Sequence, residues 1–218
     1  MENMSSCITF TEILKISKMK KGCLVAIIIG AVLAFFVIIG VVWGIKTYNR
    51  MVTMNQGVES QWGNVETTYQ RRNDLIPNFV NTVKGAANFE QTTLTQVIEA
   101  RANATKVTID PTKLNEQNMA QFQQAQGEVS SALSRLMVVV EKYPELKATQ
   151  NFRDLQVELE GTENRIATER RKFNETVLPY NSFIKRFPNS FIAGIGGFES
   201  KPYFKSAEGA EKAPEVKF

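Results

Sequence analysis

CLVAIIIGAVLAFFVIIGVVWGI, residues 23–45, carries no formal charge and lies between Lys20-Lys21 and Lys46. A helix needs about 20 predominantly apolar residues to cross the ~30 Å hydrocarbon layer of a bilayer, and this run supplies them. Leu24, Val25, Ile27 to Ile29, Phe35 to Ile39, Val41 and Val42 each favour hydrocarbon, and Trp43 and Tyr48 stand where an interfacial aromatic belt belongs. The run is longer than the apolar region of a cleaved signal peptide, and no small-x-small cleavage site precedes a mature start. Cys23 opens the run instead of closing it, which disfavours a lipoprotein. Residues 22–45 are therefore expected to be a permanent transmembrane helix, which tethers everything after them to a membrane.

The flanks give an orientation. Lys15, Lys18, Lys20 and Lys21 precede the span, whereas only Lys46 and Arg50 follow closely, so the positive-inside bias places the amino end in the cytoplasm and the larger domain outside. The expected location is the bacterial cell (inner) membrane, crossed once, with the helical domain extracytoplasmic. Met19-Lys20-Lys21-Gly22 reads as a natural start. Residues 1–21 are thus expected to be a cytoplasmic leader, of which 1–18 are either a genuine extension or an over-extended gene start.

Composition excludes several chemistries. The chain has no His, and its two cysteines, Cys7 and Cys23, lie in the leader and at the membrane edge. His-dependent triads, cysteine nucleophiles, disulfides and nitrogen- or sulfur-ligated zinc are therefore not expected in the larger domain. Net charge is +4 overall. Four lysines and two glutamates precede Lys46, so 22 basic residues face 20 acidic ones from there onward. A surface that balanced argues against nucleic acid as a partner.

About 170 residues follow the span, enough for one domain with its own core. Their apolar spacing is helical almost throughout. Val58, Trp62, Val65 and Tyr69 form a first stripe. A second runs through Ile76, Phe79 or Val80, Val83, Ala87, Leu94, Val97, Ile98 and Arg101. The third, Phe122, Ala125, Val129, Ala132, Leu136, Val139 and Tyr143, alternates steps of three and four. The fourth takes Phe152, Leu155, Leu159, Ile166, Phe173, Val177, Tyr180, Ile184 and Phe187. Breaks are expected at Asn73-Asp74, where Asp74 caps a new helix and Pro77 sets its first turn, and again at Asp110-Pro111 and Tyr143-Pro144. The fold class is all-α: a transmembrane helix, an antiparallel up-down four-helix bundle over residues 46–187, and an irregular tail over 188–218. A long three-helix coiled-coil bundle is the alternative, if Asp74 to Pro77 merely kinks one continuous first helix.

Helix lengths carry the expectation further. Residues 43–72, 75–106 and 112–142 each span roughly 45 Å, which sets the Asp74 turn at the distal end and returns the end of the fourth helix to the bilayer. The fourth stripe is roughly a dozen residues too long for that height. Pro179 is expected to bend it, leaving Leu178 to Phe187 along the lipid surface as an interfacial segment with Tyr180, Phe183, Ile184 and Phe187. The competing and favoured reading is that these aromatics finish the core. Trp43, Tyr48, Phe183 and Phe187 are the candidate membrane-interface residues. No polar linker, proline or glycine pair follows Gly44, so the span is expected to continue into the first bundle helix.

The string Tyr69-Gln70-Arg71-Arg72-Asn73-Asp74-Leu75-Ile76-Pro77-Asn78-Phe79-Val80, followed by Val83-Lys84-Gly85 and Ala100-Arg101, resembles the LemA family of bacterial membrane proteins. Tyr48-Asn49, Gln61-Trp62, Tyr180-Asn181, Phe187-Pro188, Gly197-Phe198 and Tyr203-Phe204 fit the same pattern, so the resemblance extends from Met19 to Phe218. Phe79 stands where Leu is commoner and Ala86 where Tyr is commoner. The resemblance implies a single-pass membrane protein with a helical bundle. It also brings relatives linked to shaping membranes in magnetosome formation, and others encoded beside membrane proteases. It implies an outward-facing amino end too, opposite to the charge count.

No catalytic, cofactor-binding or metal-ligating residue emerges, and no cofactor is expected. Arg71 and Arg72 are candidate docking residues for an acidic partner, because an arginine fork binds carboxylates bidentately; pairing with Asp74 is the structural alternative. Asp74 and Pro77 are read as a structural turn. Glu158, Glu160, Glu163 and Glu169 read as a solvated face, since a di-iron bundle also needs Glu-x-x-His pairs. The run Lys205 to Glu211 is expected to be mobile. The functional expectation is a membrane-anchored scaffold or adaptor without catalysis. Its expected partners are membrane lipids, unidentified membrane or envelope proteins, or a second copy of the chain. The alternative is a tethered hydrolase using Ser and Lys or carboxylates.

Overall fold

A computed structural model describes residues 21–85 and 90–205, without the side chains of Lys21 and Cys23. The leader before Lys21, Ala87 of the second stripe and residues 206–218, which include most of the run expected to be mobile, lie outside the described residues. All regular elements among the described residues are helical: α1 (Lys21–Lys84), α2 (Gln91–Lys106), a 3-10 turn (Pro111–Lys113), α3 (Glu116–Val140), α4 (Pro144–Lys147), α5 (Gln150–Lys185) and α6 (Asn189–Gly196). The chain divides into two compact units, Met1–Thr47 and Tyr48–Phe218.

In the first unit the helix carries the apolar run. Val25, Ile28, Leu33, Phe36 and Ile39 are all exposed, the apolar surface that a helix placed in lipid would present. Length and composition suffice for one membrane crossing. The helix does not stop after Gly44, because α1 extends to Lys84.

In the second unit the stripes meet as their spacing predicts, except at Ile98 and Phe187, which end up exposed. One apolar cluster gathers Val58, Trp62, Phe122, Ile166 and Phe173; another gathers Ile76, Phe79, Leu94, Leu136 and Phe152. The antiparallel course of α1 and α5 is set by three pairings: Gln61 with Glu169, Arg71 with Glu158, and Phe79 with Phe152. In contrast, α3 runs with α1, as Trp62 and Tyr69 touch Phe122 while Arg72 reaches Gln126 and Ser130 further along. Helix α3 starts at a reciprocal cap. The Asn118 N–H donates to Asn115 Oδ1 at 2.9 Å, and the Asn115 N–H donates to Asn118 Oδ1 at 3.0 Å.

Three expectations need correction. First, Asp74 and Pro77 form no turn, because both lie inside α1. An interior proline removes an N–H and strands the carbonyl four residues back, at a cost of about 3 kcal/mol. Here that carbonyl belongs to Asn73, and Arg101 Nε of α2 donates to it at 2.6 Å. The apolar stripe also continues through Ile76, Phe79, Val80 and Val83 without changing face. Helix α2 is consequently 16 residues long, about half the length expected, and the chain reverses only after Lys84. The open alternative of a continuous first helix holds at this position, while α2 remains separate.

Second, Pro179 does not divert the chain. Helix α5 continues to Lys185, and Tyr180 and Ile184 are buried in the core. The carbonyl that Pro179 frees belongs to Glu175, an exposed residue, where water can serve it. Third, the tail is not irregular from Pro188. Helix α6 packs Ala193 and Ile192 on the first cluster and closes with Gly197 in the left-handed region, φ 71°. The Phe198 N–H donates to the Ala193 carbonyl at 3.0 Å, a glycine-terminated helix end. Among the described residues of the tail, 198–205 continue without regular structure.

Candidate functional site

Two polar centres stand out in the helical unit. The first lies between the two apolar clusters. Arg72 is 1% exposed. It reaches three neighbours: Nη1 donates to Ser130 Oγ at 2.8 Å and to Glu163 Oε1 at 3.0 Å, while Nη2 donates to the Gln126 carbonyl at 3.2 Å and to Gln126 Oε1. Its guanidinium also lies over the Tyr69 ring, 5.1 Å from the centroid. Burial pushes the Tyr69 phenol up, against the lowering pull of Arg170 and Arg72. Together with the Arg101–Asn73 bond next door, this knot joins α1 to α2, α3 and α5. Such buried, charge-assisted contacts fix register between helices.

Arg72 is therefore placed mid-helix and enclosed, with its fork committed inside the protein. Arg71 is exposed and pairs with Glu158 at 2.8 Å. Asp74 is exposed and Pro77 half-buried. The glutamates of α5 reach back to α1 more than a solvated face requires. Besides Glu158 and Glu163, Glu169 accepts from Gln61 at 2.7 Å and from Lys172 at 2.8 Å, and these two bonds hold its carboxyl below its usual value. Among the described residues no three acidic side chains are grouped to hold a metal ion.

The second centre is a cleft of about 540 Å³ walled by Tyr48, Asn55 and Glu59 of α1, Tyr180 of α5 and Lys201 of the tail, with the loop before α3 closing it. Lys201 Nζ donates to the Thr112 carbonyl at 3.3 Å. Burial lowers its pKa, while Glu59, Glu199 and Asp110 pull the other way. Tyr180 OH donates to the Glu199 carbonyl at 2.9 Å, and burial, aided by Glu59 and Glu199, pushes its phenol up to about 12. Both side chains here donate to backbone carbonyls of the loop before α3 and of the tail.

The tail itself is read by α5 along its backbone. Asn181 accepts the Lys201 N–H at 2.9 Å and donates to the Lys201 carbonyl at 2.8 Å. Two turns earlier, Asn174 does the same for Phe204, at 2.9 Å both ways. Arg170 donates to the Lys205 carbonyl at 2.8 Å and covers the Phe204 ring at 4.9 Å. Phe204 is buried, stacked on Trp62 at 5.9 Å and edge-on to Phe173 at 5.4 Å.

The family model of the LemA family matches residues 61–218. The chain belongs to the LemA family. Among its relatives, magnetosome protein MamQ 2 of Paramagnetospirillum magneticum is 29% identical over 175 residues, covering 72% of this chain and 64% of that protein. MamQ of Magnetospirillum gryphiswaldense is 29% identical over 178 residues with the same coverage. Protein LemA of Metamycoplasma hominis is 21% identical over 164 residues, covering 74% of this chain and 71% of its own. The chain thus spans 64% of the length of the magnetosome relatives it matches. None of these names denotes a reaction. LemA membership and the exposed apolar helix together make this a membrane-associated helical protein.

The string that carries the LemA resemblance builds the first polar centre: Tyr69, Arg72, Asn73 and Pro77 lie in it, and Arg101 completes it. Of the interface candidates, Trp43 and Tyr48 are exposed, and Tyr48 meets the Phe198 ring edge-on at 5.4 Å. Phe183 packs on the core beneath the Arg50 guanidinium, 4.7 Å away, whereas Phe187 is 84% exposed. Sequence reading missed Asn174 and Asn181 as clasps on the tail. Their spacing of seven on one face of a helix was the available signal.

Proposed function

We propose that this LemA-family protein is a membrane-anchored scaffold or adaptor, set in the bacterial inner membrane by residues 22–45, whose extracytoplasmic helical unit meets envelope proteins and lipid without catalysing a reaction. The observation that carries the reading is the apolar run of α1, exposed along its length in a chain whose other long helices bury their apolar faces. The groups best suited to chemistry support it further: Lys201, Tyr180, Asn181 and Arg72 are each engaged in holding backbone or neighbouring helices. The magnetosome relatives carry the name of a membrane-bounded structure, which favours a part in membrane organisation here as well.

The lowered pKa of Lys201 is the one observation that favours a hydrolase instead. Serine-reactive activity probes decide between them: the scaffold reading expects no specific labelling of the outer unit, and stoichiometric labelling overturns it. For the scaffold itself, photo-reactive residues at exposed positions 71 and 161 are expected to capture the same envelope protein in intact cells, and to lose it when the span is exchanged for a cleavable signal peptide. Unchanged capture without the span contradicts the reading.

A further inference from the structure

Helix α6 is apolar on both of its sides. Ile192 and Ala193 face the core, and Gly196 lies so close to the Phe198 and Tyr48 rings that a Cβ there would stand 2.8 Å from one and 3.1 Å from the other. The opposite side presents Phe191, 71% exposed, and Ile195, 75% exposed, one helical turn apart. Phe187, just before the helix, is exposed as well, and so are Lys185 and Arg186. Other exposed large apolar residues of the helical unit, such as Ile98, Val138 and Val157, are spread singly over different helices, and scattered residues need no partner, whereas a cluster does.

Chain length says what lies nearby. Tyr48, against which Gly196 and Phe198 pack, follows Ile45 by three residues of α1, a rise of about 4.5 Å. The headgroup layer beyond the hydrocarbon is itself roughly 5–7 Å deep on each side. If residues 22–45 cross the bilayer, Tyr48 stands among the headgroups, and α6 is held beside it. Lys185 and Arg186 supply the cations that favour an anionic lipid surface at that depth.

We propose that α6 is a second, interfacial contact with the membrane, in which Phe187, Phe191 and Ile195 enter the boundary between headgroups and acyl chains while Ile192, Ala193 and Gly196 keep the helix on the protein. This rests on the reading of residues 22–45 as a span. The contact resembles an amphipathic surface helix in depth, but differs in origin, because the protein and the lipid each take one apolar side. The span supplies most of the affinity, and α6 adds a shallow contact of its own.

The test uses the full chain with Cys7→Ser and Cys23→Ser, carrying a single environment-sensitive fluorophore through Phe191→Cys, Ile195→Cys or, as control, Val157→Cys. Each is reconstituted into vesicles of phosphatidylcholine and phosphatidylglycerol. Labels at 191 and 195 are expected to shift to the blue and to lose intensity to lipids bearing a shallow nitroxide, with neither effect at 157. Protein that stays with the vesicles after an alkaline wash, yet shows unshifted and unquenched emission at 191 and 195, overturns the α6 contact and leaves the span standing. Blue-shifted emission that ignores the lipid nitroxide but self-quenches as protein density rises also overturns it, assigning the face to a second copy. Release of the protein by the alkaline wash overturns the span, and the inference falls with it.

Discussion

Arg72 shows how a residue with the chemistry of a docking site becomes part of a core. Its partners stand 54, 58 and 91 positions away along the chain, so no local pattern could announce its burial. Arg72→Met should lower unfolding free energy by about 1–3 kcal/mol, because Gln126 and Ser130 lose a buried donor. Arg71→Ala, at an exposed pair, should cost no more than about 1 kcal/mol. Urea denaturation of the two variants measures this; a neutral Arg72 variant that loses a partner would restore the docking role. Arg101 and Pro77 make a coupled pair. Arg101→Ala strands the Asn73 carbonyl, whereas in Pro77→Ala a backbone N–H returns to it, so the double variant should be less destabilised than the sum of the single changes. Additive costs would mean that Arg101 does not answer the proline. Glu169 sets a pH dependence. Its folded carboxyl is held below the ordinary 4.5 by Lys172 and Gln61, so its contribution is present above that value and disappears as pH falls through the folded one. The melting-temperature gap between wild type and Glu169→Gln should be steady from neutral pH down to about 5 and close in stronger acid.

At the scale of elements, the four apolar stripes were legible because a period of 3.6 survives any choice of partner. Val58, Trp62, Val65, Tyr69, Phe122, Val129, Leu136, Phe152, Phe173 and Val177 are all buried. The misread break at Asn73 to Pro77 has a different cause. A capping residue followed by proline is a sound local signal, but a donor from another helix met the orphaned carbonyl and the stripe held its face. Helix α6 was illegible for the converse reason, since Gly194 and Gly196 weaken a helix on propensity alone, while packing under Tyr48 and Phe198 holds it. Gly196→Ala should therefore destabilise, by about 1–3 kcal/mol, although alanine is the better helix former. Stabilisation instead would show that α6 is only loosely attached. The clasped segment 199–205 belongs to the core through Phe204: Phe204→Ala should cost about 3–5 kcal/mol and move Trp62 fluorescence to the red as its ring loses the stacked cover.

For the whole molecule, the proposal has residues 22–45 tie the LemA-family helical unit to a membrane, while the knot of Arg72, Asn73 and Arg101 ties its helices to one another. The orientation taken from Lys15, Lys18, Lys20 and Lys21 is part of the proposal, and an impermeant thiol reagent applied to spheroplasts should label a cysteine placed at Gly161 before lysis; labelling only after lysis would invert it. The membrane readings depend on one anchor. Alkaline carbonate extraction of membranes from cells making the full chain tests it most directly: the protein should remain wholly in the membrane pellet and be released when Ile28, Val32 and Phe36 are each changed to Lys. Release of the unaltered chain into the supernatant would contradict the account.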